Sequence, residues 1–202
     1  MTVDVRPGTR SDVPELSRIL AEAFHDDPMM VWIVPDADDR PRRLAGLFSA
    51  VTRYHHLGGG GVEVAVDGDG RVGGVTLWDP PGRWKQSTWS MLRMGPAMWR
   101  ALGSRMKAGS EAERALEAVH PEEPHWYLSA IGTGAAARGG GFGKALLTSR
   151  LDRCDREGVP AYLESSNVAN LPYYERFGFE LVREVAIPGG GPSFYPMWRN
   201  PR

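Results

Sequence analysis

A chain of 202 residues with 42% apolar side chains can close an ordinary buried core, and a formal charge of −1 gives no bulk attraction to a polyanion. No stretch approaches the roughly 20 consecutive apolar residues of a membrane span, and the opening Met1-Thr-Val-Asp-Val-Arg6 lacks a signal-peptide pattern. The single cysteine, Cys154, cannot form an intramolecular disulfide and reads as a small buried hydrophobe. Together these features predict one domain over residues 1–202, cytoplasmic, with no nucleic-acid or membrane partner.

Residues 11–24 read as an amphipathic helix, because Leu16, Ile19, Leu20, Ala23 and Phe24 recur at helical spacing. Thr9 with Asp12 three residues on can cap its start, and Asp26-Asp27-Pro28 ends it. A second helix spans about 40–56, with Leu44, Leu47, Phe48 and Val51 on one face, and Gly58 to Gly61 break it. Val62–Val66 alternates with period two, Asp67-Gly-Asp-Gly70 turns, and Val72–Trp78 returns, which predicts a hairpin.

Residues 79–124 interrupt this pattern with Trp84, Trp89 and Trp99 and with Met91, Met94, Met98 and Met106 between them. Met91, Met94, Met98 and Leu102 keep helical spacing and Pro96 kinks or restarts the helix, so the segment reads as an inserted helical pair. Core packing is the first expectation for its apolar side chains, and the lining of an acceptor site is the second. Trp126–Thr133 is strand-like, a glycine-rich loop runs from Gly134 to Gly143, and a helix follows over about 143–157 with Leu146, Leu147, Leu151 and Cys154 inward. Pro160–Ser165 is a strand, 169–177 a short helix, and Phe179–Val185 and Ser193–Trp198 two closing strands. The order is that of an α/β fold with a mixed sheet.

The loop carries the chemistry. A helix N-terminus offers unpaired N–H groups and a positive dipole end, and glycines let the backbone approach an anion without a Cβ in the way. A Walker-type loop ending at Gly143-Lys144 needs glycine where Arg138 stands and Ser or Thr where Ala145 stands, and it fails at both. A dinucleotide fingerprint forced on Gly132-Thr-Gly134-Ala-Ala-Ala137 would run its helix into three glycines. Arg138, Gly141 and Gly143 fit a third pattern, Arg/Gln-x-x-Gly-x-Gly/Ala, without gaps.

With Tyr127-Leu-Ser-Ala-Ile-Gly-Thr133 before it, Arg138-Gly-Gly-Gly-Phe-Gly-Lys-Ala-Leu-Leu147 resembles the acetyl-CoA signature of the GCN5-related N-acetyltransferase (GNAT) superfamily. A second signature follows at Tyr162-Leu-Glu-Ser-Ser-Asn167 and Asn170-Leu-Pro-Tyr-Tyr-Glu-Arg-Phe-Gly-Phe179. Ala23, Phe24, Asp26 and Pro28, then Glu123-Pro124-x-Trp126 and Gly158-Val-Pro-Ala161, extend the resemblance to the puromycin N-acetyltransferase-like branch.

The resemblance implies a GNAT fold, a mixed central β-sheet with splayed central strands flanked by helices, plus the helical insertion at 79–124. It implies acetyl-CoA as donor and no metal. The pyrophosphate would lie on Arg138, Gly139, Gly140, Gly141, Phe142, Gly143 and Lys144. Pantetheine would run past a bulged strand at Ile131, Gly132 and Thr133, with Asn170 and Tyr173 alongside. Tyr174 would protonate the departing thiolate, and Glu164 is the candidate base, with His125 as a further candidate. Asn170 would either bond pantetheine or cap the helix that follows, and Asn167 is a weaker version of the same case. Phe24, Asp27, Trp84, His125 and Tyr127 are candidate acceptor-binding residues. His25, His55, His56 and His120 show no metal-ligand spacing.

The implied reaction is direct attack of a small-molecule primary amine on acetyl-CoA in a ternary complex. Aminonucleosides, antibiotics (with antibiotic resistance as the role) and polyamine-like metabolites are the acceptor classes. Asp27 departs from the aromatic expected there in a puromycin enzyme. Acetylation of a protein N-terminus or lysine, and a catalytically silent acetyl-CoA-binding module, are the alternatives. Monomer and homodimer both remain open.

Overall fold

A computed structural model describes residues 2–202. The strands are β1 (Asp4–Pro7), β2 (Val62–Val66), β3 (Val72–Asp79), β4 (Trp126–Thr133), β5 (Ala161–Ser165), β6 (Glu180–Leu181), β7 (Val185–Ala186) and β8 (Ser193–Arg199). The helices are α1 (Val13–Ala23), α2 (Pro28–Ile33), α3 (Arg40–Val51), α4 (Thr88–Leu102), α5 (Met106–Glu117), α6 (Phe142–Glu157) and α7 (Leu171–Glu175). The strands form one mixed sheet in the order β1-β2-β3-β4-β5-β8-β6, with β7 also on β8. Among the described residues no helix is long and apolar enough to cross a membrane.

The expected pattern holds with four refinements. Strand β1 was not anticipated; it pairs antiparallel with β2. The expected strand 179–185 divides into β6 and β7, each pairing with a different stretch of β8. Asp26-Asp27-Pro28 ends one helix and also starts another, since Asp27 caps α2 by accepting from the N–H groups of Met29 and Met30 at 3.0 and 3.2 Å. The helix expected over 40–56 ends its regular part at Val51 and widens to a π-helical turn at Thr52–His56, a departure often found at functional sites.

The sheet opens at its centre. Strands β4 and β5 pair in parallel at Trp126–Ala161, Tyr127–Tyr162 and Leu128–Leu163, and nowhere beyond. On the other side of β4 the register skips a residue, because Leu77 faces Ala130 while Trp78 faces Leu128. Ser129 is therefore the extra residue of a β-bulge, which bends a strand and re-aims the side chains after it. Before the bulge Trp126 and Leu128 pack towards Leu147 and Leu151 of α6. Beyond it Ala130 joins the cluster of Leu16, Ile19 and Leu20 on α1. Tyr127 and Ser129 share one face of the strand, and the bulge brings Ala130 to that side as well.

Close approach of helix and sheet sets the loop's position. A Cβ at Gly132 would stand 2.8 Å from Ala23 Cβ, so α1 lies directly on β4. A Cβ at Gly73 would stand 2.4 Å from the ring of Phe142, the first residue of α6. Gly73→Ala should therefore overpack the seat of α6 and lower unfolding free energy by about 1–3 kcal/mol. Chemical denaturation checks this, and an unchanged midpoint and slope would contradict it.

Candidate functional site

The loop between β4 and α6 begins with a 3₁₀ turn at Ala135–Ala137, anchored where the Ala135 N–H donates to the Glu22 carboxylate of α1 at 3.1 Å. Gly139 and Gly141 adopt φ of +77° and +86°, the left-handed region that favours glycine. Among the described residues, the N–H groups of Gly139, Gly141, Phe142, Gly143 and Lys144 find no acceptor. Gly140 departs from expectation, because its N–H is spent on the Ala137 carbonyl at 3.1 Å and it does not line the groove.

These amides face an open groove of about 450 Å³. Ile131, Gly132 and Thr133 form one wall, on the stretch of β4 that β5 has left, and Arg138, Gly139, Gly141, Phe142, Gly143 and Lys144 form the floor. The Phe142 ring is buried, so its contribution is the backbone. Asn170, Tyr173 and Tyr174 close the far side. Asn167 caps the turn Val168–Asn170 by accepting from the Ala169 N–H at 3.0 Å, whereas Asn170 makes no side-chain cap bond and is left facing the groove. Tyr174 is buried, and among the described residues its hydroxyl has no hydrogen-bond partner. Burial, with Tyr173 and Asp27 nearby, raises its phenol further above the ordinary value, so it keeps its proton.

A second cavity, of about 510 Å³, adjoins the first: consecutive residues divide between them, Ala23 at the end of α1 and Phe24 just after it, and Ala130 and Ile131 on β4. Its walls are mostly apolar, from Phe24, Met30, Ile33, Phe48 and Val51 on one side and Met91, Met94, Met98 and Leu102 of the insertion on the other. The insertion therefore packs on α3 and lines this cavity as well. Its polar lining includes His55, His56, Asp79, His120, Tyr127, Ser129 and Glu164, and the insertion adds Lys85, Gln86, Ser110, Glu113 and Glu117.

Two histidine–carboxylate clusters stand there. His55 Nε2 and His56 Nδ1 lie 2.9 and 3.0 Å from Asp79 Oδ1. Burial pushes the Asp79 carboxyl up, but the two imidazoles outweigh it and hold the group below the usual carboxylate range. Although nothing in their sequence spacing suggests metal ligands, the donor atoms of the three residues lie within 4.8 Å of one another. In the other cluster Glu164 accepts from the hydroxyls of Tyr127 and Tyr162 at 2.8 and 2.9 Å. Burial, and then the Glu164 charge, push the Tyr127 and Tyr162 phenols well up, so both remain donors. His120 Nδ1 lies 3.5 Å from Glu164 Oε1, and Trp84 stacks on the His120 ring at 3.8 Å.

Of the five expected acceptor residues, Phe24, Trp84 and Tyr127 line the cavity. Asp27 does not, because its carboxylate is consumed as the α2 cap and as acceptor of the Ser166 hydroxyl. His125 does not either: it is buried behind His120, with Nδ1 2.6 Å from the Glu123 carbonyl and Nε2 3.0 Å from His120 Nε2. The groups missed from the sequence are His120, Asp79, His55 and His56. Only the adjacent His55-His56 pair before a glycine break carried any local signal.

A model described as "Acetyltransferase (GNAT) family" matches residues 6–179. An uncharacterised N-acetyltransferase of Schizosaccharomyces pombe is 28% identical over 192 residues, covering 87% of this chain and 74% of its own length. A solved structure from Corynebacterium glutamicum, described as histone acetyltransferase HPA2 and related acetyltransferase, superposes with a TM-score of 0.78 at 29% identity, covering 100% of this chain and 98% of the other. A phosphinothricin acetyltransferase from Sinorhizobium meliloti, solved with AcCoA, shares the fold with a TM-score of 0.56 at 19% identity over 99% of this chain and 89% of its own.

Cys154 lies outside both cavities, in the core beneath α6, and burial pushes its thiol up to about 12. At pH 8 the folded protein should resist alkylation at this position, and one thiol should appear on denaturation. Rapid labelling of the native protein, followed by mass spectrometry, would contradict the burial.

Proposed function

Because the chain belongs to the GNAT acetyltransferase family and is an N-acetyltransferase, and because members of that family use acetyl-CoA, we propose that it acetylates the primary amine of a small molecule with an apolar body, by direct attack within a ternary complex. The observation that carries this reading is the meeting of the two cavities at Ala130–Ile131, where one offers unpaired amides and the other carboxylates in a mostly apolar chamber. The adjoining cavities leave room for both reactants at once. The roof made by the insertion favours a small acceptor over a folded protein.

In this reading the pyrophosphate lies on the amides of Gly139 and Gly141–Lys144 with Arg138 at the rim, and pantetheine follows Ile131–Thr133. The thioester carbonyl reaches an amide near Ile131, which stabilises the oxyanion formed on attack. Tyr174 sits across the groove as a protonated phenol and delivers its proton to the departing thiolate.

The amine arrives as an ammonium and must lose a proton. The hydrogen-bond order around His120 supports the Glu164–His120 pair as its destination. Burial favours neutral His125. Assigning its Nδ1 proton to the Glu123 carbonyl leaves a lone pair on Nε2, which then accepts from His120 Nε2. His120 Nδ1 then faces Glu164 Oε1 across 3.5 Å, close enough for the pair to share a proton. Glu164 is thus held by Tyr127 and Tyr162, and His120 shares the proton.

Steady-state kinetics with a responsive amine should show Tyr174→Phe losing about 10²-fold in kcat with little change in KM for acetyl-CoA; unchanged kcat would sink the acid role. Glu164→Gln should lower kcat/KM for the amine by about 10²-fold near neutral pH. Part of that loss should return at alkaline pH, where the free amine has already lost its proton. A deficit that is the same at every pH would make Glu164 structural.

A further inference from the structure

Helix α4 has two apolar faces, and the protein covers only one. Met94, Ala101 and Leu102 are buried and Met98 packs against the core, but Trp89, Leu92 and Trp99 stand 73%, 65% and 68% exposed. At 3.6 residues per turn these three and the exposed Pro96 fall on the same side of the helix as Arg93 and Arg100, within about 120° of arc. Among the described residues neither arginine has an ion-pair partner. From Pro80 to Ser110 the sequence holds six lysines and arginines and no aspartate or glutamate, although the whole chain carries −1.

We propose that the outer face of α4 docks on an anionic phospholipid surface. A stripe of tryptophan and leucine edged by arginine, lying along the surface, is the pattern of a helix that rests in a bilayer interface, with indole rings at the headgroup level and cations on the lipid phosphates. The lack of a spanning segment concerns crossing a bilayer and does not bear on lying against one. A second copy of the chain is a poorer occupant. Face-to-face pairing of this helix would set Arg93 and Arg100 of one copy near their equivalents, with no acidic residue in the segment to neutralise them. A nucleic acid would match the charge and leave the Trp89–Leu92–Trp99 stripe unexplained. Met94 and Met98 line the acceptor cavity from the opposite face of α4, so docking puts that cavity just under the lipid contact.

Co-sedimentation of the full chain with phosphatidylcholine vesicles, with and without phosphatidylserine, tests this. The protein should pellet with the anionic vesicles and much less with phosphatidylcholine alone. Raising ionic strength from about 0.1 M to about 1 M, which cuts the screening length from about 10 Å to about 3 Å, should weaken binding. Arg93→Gln with Arg100→Gln should reduce partitioning about 30-fold, and Trp89→Ala with Trp99→Ala should bring it to background. None of these side chains lines either cavity, so all variants should keep the wild-type thermal midpoint and rate of acetyl transfer in vesicle-free buffer. Absence of pelleting, or pelleting unaltered in folded variants, overturns the proposal. So does a dimer in sedimentation velocity that the double tryptophan variant abolishes, or binding to an oligonucleotide in preference to the vesicles.

Discussion

The β-bulge at Ser129 is the constraint on which the site depends. One extra residue in β4 turns the strand, so its first half packs on α6 and its second half on α1. The same turn ends pairing with β5 after Leu128–Leu163 and leaves Ile131–Thr133 with a free edge. Unpaired strand edges in a folded core are costly unless something occupies them, and here the free edge is the wall of the open groove. Had β4 and β5 stayed paired to their ends, no gap would lead from the amides at α6 to the chamber beneath the insertion.

Around that gap the chemistry is divided by surroundings. The groove side is built from backbone: left-handed glycines, the first turn of α6 and the open edge of β4. It suits a donor common to many relatives, since backbone groups do not depend on side-chain identity. The chamber side is built from side chains that come from α2, α3 and the π-helical turn after it, β3, the insertion, β4 and β5. Glu164 is held there by the hydroxyls of Tyr127 and Tyr162, and Asp79 by the imidazoles of His55 and His56, so neither stands against a permanent cation. An ammonium brought into such a place gains more from a carboxylate than it would in water, and it has a ready destination for its proton.

How much of this was legible in the sequence follows from the range of the interactions. The groove was readable because its parts are local: Arg138 to Lys144 lie on one loop, and the glycines reveal the backbone shape that they permit. Even there Gly140 proved to be a turn residue, since which amide is spent internally depends on the loop's exact path. The chamber was readable only in part. Phe24, Trp84 and Tyr127 were found by their type, but His120, Asp79 and the His55-His56 pair meet only through the tertiary fold, at separations no periodicity spans. Asp27 illustrates a local signal outranked by a functional guess: an aspartate before proline at the start of an apolar run is a helix cap, and the structure uses it as one. The bulge in β4 was an expectation of the family resemblance and not of residue type, which carries no mark of one.

The central claim is that donor and acceptor occupy adjoining cavities at the same time and react directly. Initial rates measured while acetyl-CoA and a responsive amine are varied against each other test it most directly. Intersecting double-reciprocal lines are the result this account predicts, because both substrates must be bound before the acetyl group moves. Parallel lines, with acetylated protein recovered after incubation with acetyl-CoA alone, would show transfer through the enzyme itself and contradict it.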